Sequence, residues 1–116
     1  MKKKTIWTSY FAKSGKEPNA VSIARSSPTG YSGEAYKSLA PPPKLLYEWK
    51  KGVMSPSLYT EIYKEEVLDK LDPKIVGSLL VGKILLCWEG SGKFCHRHLV
   101  AEWLKDNGFE VKEIYP

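Results

Sequence analysis

A chain of 116 residues, 42% hydrophobic and 27% charged, is long enough to bury the core of one domain and too short for two. No apolar run approaches the roughly 20 residues that span a bilayer. The basic opening MKKKTIWTSYFAKSG runs into no long apolar region, which argues against a secretory signal. The formal charge of +5 is lopsided: residues 1–51 hold ten Lys or Arg against three Glu, and residues 52–116 hold eight basic groups against ten acidic ones. A basic half steers anionic partners, nucleotides and nucleic acids included, and serves equally well as a plain solubilised surface. Lys2, Lys3 and Lys4 read as a frayed basic tail on a single domain spanning residues 1–116. Two cysteines, Cys87 and Cys95, are too few for a disulfide scaffold and read as free thiols. Free thiols fit a reducing compartment, and hence the cytoplasm.

Thr5 to Phe11 (TIWTSYF) is dense in β-branched and aromatic residues and predicts a first strand. KSGKEPN supplies turn chemistry, and Ala20 to Ala24 (AVSIA) predicts a second short strand. That strand runs into RSSPTGYSG, a loop opened by Arg25, which is where open α/β sheets place ligand-binding groups. Gly33 to Leu39 is read as one or two helical turns stopped by Pro41-Pro42-Pro43, and Lys44 to Lys50 as a short helix. Ser55 or Ser57 then caps a longer helix over SLYTEIYKEEVLDKLD. Its apolar stripe passes through Tyr59, Ile62, Tyr63, Val67 and Leu71. Asp72 caps a helix over Lys74 to Val81, stopped at Gly82. Ile84 to Trp88 is apolar on both faces, the pattern of a central strand. Cys95 to Asn107 predicts a helix closed by Gly108, and Val111 to Ile114 a last strand. Strands separated by helical crossovers make this a small single-domain α/β layer fold with a mainly parallel central sheet.

The chemistry concentrates at LLCWEGSGKFCHRHLVAEW. At about 100° per residue, Leu99, Val100, Trp103 and Leu104 define the buried helix face, with His96 along it and His98 turned away. Histidines two apart do not converge on one ligand, and the spacing matches no paired zinc-site pattern, although Cys87, Cys95 and His96 can converge if strand and helix are neighbours. No metal and no cofactor enters the reading. A nucleophilic Cys95 is better founded, because a helix start favours thiolate and Lys93, His96 and Arg97 add positive charge. The Gly90-Ser91-Gly92 turn offers backbone N–H groups to an anion that Arg97 clamps. Cys87 lacks the arginine spacing of a phosphatase loop and reads as a buried, inert thiol. The competing account is structural: Arg97 pairs with Glu89 or Glu102, His96 donates one core hydrogen bond and Cys95 fills space.

These residues also carry a resemblance. The segments ARSSPTGYSGEAYKSLAPPPKLL, SLYTEIYKEEVLDKLDP and GKILLCWEGSGKFCHRHLVAEWL are similar to the short branch of the DUF488 family, named for having no established function. Cys87-Trp88-Glu89 stands at the family's strand end and Cys95-His96-Arg97 at its helix start. The resemblance implies a three-layer α/β fold and draws Arg25, Glu89, Cys95, His96 and Arg97 into one site. It supplies no reaction. Ala24 stands where many members carry an acidic residue, so an acid role there is not transferred.

Three functions compete. The leading one is an enzyme acting on a small anionic substrate, such as a phosphorylated nucleotide or nucleic-acid terminus. Cys95 is then nucleophile or thiolate stabiliser, Glu89 an acid/base or orienting group, and His96 the group that tunes the thiol. Arg25 and Arg97 are oxyanion clamps, and Tyr31, Tyr59 and Tyr63 line the cleft. Helix packing, with hydroxyls at the surface, is the plainer use of those tyrosines. The second is a nucleic-acid-binding module using the N-terminal lysines with Trp7 or Tyr10, though no known reader motif supports it. The third is an interaction protein whose Cys-His-Arg cluster only holds the fold.

Overall fold

The structure is a computed structural model and describes residues 5–90 and 94–114. The lysine tail and Ser91, Gly92 and Lys93 of the expected anion-binding turn lie outside the described residues.

The chain opens with strand β1 (Thr5–Tyr10), a single turn α1 (Phe11–Ser14) and strand β2 (Ala20–Ser22). Strand β3 (Glu34–Ala35) and a 3-10 turn over Lys37–Leu39 lead into helix α2 (Pro43–Lys50). Helix α3 (Pro56–Glu66), a second 3-10 turn at Leu68–Lys70 and helix α4 (Pro73–Leu80) follow. Strand β4 (Ile84–Cys87), helix α5 (His96–Lys105) and strand β5 (Glu110–Glu113) complete the order. The five strands form one sheet in the order β3-β2-β4-β1-β5, and every pairing is parallel.

The ILLC run becomes β4 because its two faces meet two different cores. Leu85 joins the larger cluster beneath α2 to α5, with Ile6, Val21, Tyr63, Val76, Val100 and Leu104. Ile84 and Leu86 point the other way, to Phe11, Ala20 and Ala24. Each such side chain, fully buried, contributes roughly 1.5–3 kcal/mol. The two covers are unequal: four helices lie over one face, while the four-residue α1 and partly buried Trp7 and Tyr31 serve the other.

Both expected caps form. The Ser55 hydroxyl accepts from Leu58 N at 3.1 Å, and the Asp72 carboxylate from Lys74 N at 2.9 Å. The long helix expected through Asp72 stops earlier, at Glu66, and tightens into the 3-10 turn before Leu71 returns to extended backbone. Gly33 to Leu39 is not helical throughout: Glu34 and Ala35 pair with Val21 and Ser22 as an edge strand, with only Lys37–Leu39 turning. Gly82 and Gly108 follow the ends of α4 and α5 with φ of +81° and +93°, backbone that favours glycine.

Candidate functional site

The sheet order determines where the chemistry gathers. β2 lies beside β4 in parallel, and the pairing runs on to Ile23, whose N–H donates to the Leu86 carbonyl at 3.0 Å. The C-terminal ends of both strands therefore open on the same edge, where parallel α/β sheets hold ligands. Arg25 follows one strand and Trp88-Glu89 the other, and the Trp88 indole N–H donates to the Ser26 carbonyl at 2.9 Å, tying the two loops together.

A cavity of about 320 Å³ lies at this edge, at the lower end of the roughly 300–1,000 Å³ usual for ligand sites. Cys87, Cys95 and His96 line it together with Arg25, Lys50 and Glu89. One wall is aromatic: Trp49, Tyr59 and Phe94 meet with ring centroids 4.9–5.3 Å apart, contacts that fix the rings in place.

Cys95 precedes the first residue of α5 in extended backbone, and its carbonyl accepts from His98 N–H at 3.1 Å. Next to it, His96 is buried, and its Nε2 lies 2.7 Å from the Ile23 carbonyl. A carbonyl only accepts, so Nε2 carries the proton and the neutral ring keeps its lone pair on Nδ1. That Nδ1 lies 3.6 Å from Cys95 Sγ. Burial is the main reason the His96 pKa falls to about 4; the Ile23 bond opposes the fall, and Arg97 and His98 add to it.

The two sulfurs are joined as a Cys87–Cys95 disulfide, which corrects the reading of two free thiols. The free-thiol reading rested on there being only two cysteines; they stand eight residues apart, and the fold sets the end of β4 against the start of α5. The cytoplasmic reading loses that premise. No described helix is long and apolar enough to cross a membrane.

Arg97 is fully buried, and all five of its N–H donors are engaged. Nε and Nη2 donate to the Glu113 carboxylate, the closest approach being 2.8 Å. Nη1 donates to the Glu89 carbonyl at 2.6 Å and to Cys87 Sγ at 2.8 Å, and Nη2 reaches the Gly90 carbonyl at 3.3 Å. The acidic partner is Glu113 rather than the side chain of Glu89 or Glu102. A guanidinium with no donor left is spoken for as an oxyanion clamp. Glu113 also accepts from the Thr8 hydroxyl. Burial alone would raise its pKa, but the hydrogen bonds from Arg97 and Thr8 and the nearby positive charge hold it below the usual carboxylate range.

Sequence reasoning missed Glu113, although it stands two residues after buried Val111 on the same strand. An acid on the inward face of a strand calls for a buried cation. Trp49, Lys50 and Phe94 were missed as well, because only the folded chain brings helix α2 against the start of α5. Arg25, Glu89, Cys95, His96 and Tyr59 are brought together, and Arg25 is held by two bonds from Nε and Nη2 to the Pro41 carbonyl. Tyr63 stands behind the cavity: its ring packs 5.7 Å from His96 and its buried hydroxyl donates to the Leu39 carbonyl at 2.6 Å. Burial holds the hydroxyls of Tyr59 and Tyr63 protonated well above the usual tyrosine range, so neither belongs at the surface. Tyr31 is not brought to the site; it lies against Phe11 under the opposite face and donates to the Glu34 carbonyl. Trp7, offered as a stacking residue, is half-buried in that same face with Lys112 over its ring.

Cys87, Cys95 and His96 place their ligand-type atoms within 4.8 Å of one another. The Arg97 guanidinium, against Cys87 Sγ, places a positive charge beside that cluster.

The family model DUF488-N3a, described as the active DUF488-N3 subclade, matches residues 4–108. No curated protein and no solved structure matches the chain.

Proposed function

The chain belongs to the DUF488-N3a subclade, and from that premise we propose that it is an enzyme using reduced Cys95 on a small anionic substrate of the phosphorylated-nucleotide class. The observation that carries the reading is the fixed His96 tautomer. Ile23 holds the Nε2 proton, and the unprotonated Nδ1 is thereby aimed at the Sγ of Cys95, a residue of the cavity wall. An acceptor placed against a thiol at a helix start favours the thiolate, and charge developing on sulfur raises the basicity of the ring in turn. Glu89 is the acid/base or orienting group, since it lines the same cavity. Arg25 and Lys50 supply the charge that draws a phosphate, and the Trp49-Tyr59-Phe94 wall offers a flat base a stacking surface. Arg97 leaves the substrate-binding set and becomes the group that holds Cys87 and Glu113 in place. A subclade described as active accords with a working site.

The test is alkylation of Cys95 in the reduced protein as a function of pH, with peptide mass spectrometry separating it from Cys87. The expected apparent pKa lies below the ordinary thiol value of about 8.5, and nucleoside phosphates slow the labelling. Labelling at the rate of an ordinary thiol across the pH range, with no protection by any nucleoside phosphate, would overturn the reading.

A further inference from the structure

We infer that Cys87 and Cys95 form a reversible dithiol–disulfide centre, and that the protein exchanges electrons through it with a thiol substrate entering the cavity. The inference rests on the two sulfurs and their neighbours and does not depend on the nucleotide reading.

Two observations distinguish this pair from a structural staple. Both cysteines line a cavity. Each also has its own charged or basic neighbour: Arg97 Nη1 donates to Cys87 Sγ at 2.8 Å, and His96 Nδ1 stands 3.6 Å from Cys95 Sγ. The two neighbours differ in a way that assigns roles. A guanidinium is always charged, so it stabilises Cys87 as a thiolate and makes it the better leaving group. An unprotonated imidazole nitrogen accepts a proton and belongs beside the sulfur under attack.

The reaction balances as follows. A substrate thiol passes its proton by way of His96 Nδ1 to solvent and attacks Cys95 Sγ. The Cys87–Cys95 bond breaks, and Cys87 departs as a thiolate held by Arg97. The substrate is then a mixed disulfide on Cys95. A second substrate thiol loses its proton to solvent and attacks the substrate sulfur of that bond. Cys95 leaves, and one proton returns to the centre from solvent by way of His96. Two substrate thiols have become one disulfide, and the centre has gained two electrons and holds one proton and one negative charge shared between Cys87, beside Arg97, and Cys95, beside His96. A disulfide substrate drives the same steps in reverse and restores the bond. Reduction also frees the Cys95 thiol, so the state of the pair decides whether a Cys95 nucleophile exists.

The full-length protein is equilibrated in buffers of reduced and oxidised glutathione, trapped by alkylation and read cysteine by cysteine. Cys87 and Cys95 are expected to change together, in the folded protein, between one disulfide and two thiols. A bond that yields only after unfolding, or cysteines that titrate independently, would sink the proposal. The assigned direction is tested with Cys87→Ser and Cys95→Ser under oxidised glutathione. The Cys87→Ser protein should accumulate a mixed disulfide on Cys95 faster than the Cys95→Ser protein does on Cys87, because the reverse of the steps above passes through a mixed disulfide on Cys95. Equal rates would overturn the asymmetry. Nucleoside-phosphate protection of reduced Cys95 is scored separately, so either proposal can fail while the other stands.

Discussion

His96 is a neutral imidazole in the core, and that state ties the stability of the fold to pH. Its folded pKa of about 4 lies below the ordinary 6.5, chiefly because burial disfavours the charged ring. Between those values the unfolded chain binds a proton that the folded chain refuses, so stability is full above about pH 6.5 and falls towards pH 4. At pH 4.5 the expected loss is between about 2 and 3 kcal/mol. Glu113 adds to it lower down, because its depressed pKa gives stability that is present above the ordinary carboxylate value and lost as pH drops through the folded one. Urea unfolding at pH 7 and pH 4.5 measures the loss, and His96→Gln should flatten the dependence while leaving the more acidic limb. Arg97 makes a sharper prediction. Replacing it with Met leaves the Glu113 carboxylate, only 10% exposed, without its cation, and should cost about 3–5 kcal/mol by the same assay. A loss below 1 kcal/mol, about what an exposed ion pair contributes, would contradict the buried pairing. Of these two residues, the inward-facing His96 was legible from helix periodicity. The engagement of Arg97 was not, because its carboxylate partner arrives from a strand sixteen residues away.

The elements show the same division between local and distant causes. Caps at Ser55 and Asp72, the stop at Gly82 and the two-faced β4 strand were legible because each is written within a few residues of itself. The β3 edge strand was not: Glu34 and Ala35 are exposed and carry no apolar alternation, and they are extended only because β2 offers hydrogen bonds beside them. Gly77, in the middle of α4, is a second case. As a residue it only weakens a helix, yet a Cβ built there would lie 2.3 Å from the Phe109 ring, which packs directly on the helix backbone. Gly77→Ala gains about 1 kcal/mol of helix propensity and loses more, because three atoms of a buried ring must shift. A net destabilisation of about 1–2 kcal/mol is expected in thermal unfolding. An alanine variant more stable than the parent would show that Phe109 is not held against α4.

At the scale of the whole molecule, the order β3-β2-β4-β1-β5 turns scattered residues into one site. Arg25 and Glu89 are 64 positions apart, yet parallel pairing of β2 with β4 delivers both to one cavity. The sequence could announce a parallel sheet through its helical crossovers, but not which strands are neighbours. The family resemblance joined Arg25 to the Cys-His-Arg segment, where the sequence by itself placed it only in the loop after the second strand. The fold also separates two arginines that look alike in the sequence. Arg97 is enclosed with every donor used, whereas half-buried Arg25 lines the cavity and bonds one carbonyl. Arg25→Ala should therefore change stability by less than about 1 kcal/mol. It should still abolish most of the protection that nucleoside phosphates give reduced Cys95, because a fixed guanidinium in the cavity wall is the natural phosphate anchor. The same protection should weaken with added salt in the parent and lose part of that salt dependence in the variant, since one of the attracting charges is gone. Thermal unfolding with alkylation kinetics reads all three quantities on one pair of proteins. Undiminished protection in a stable Arg25→Ala protein would remove Arg25 from the site and leave Lys50, among the described residues, as the lysine lining the cavity.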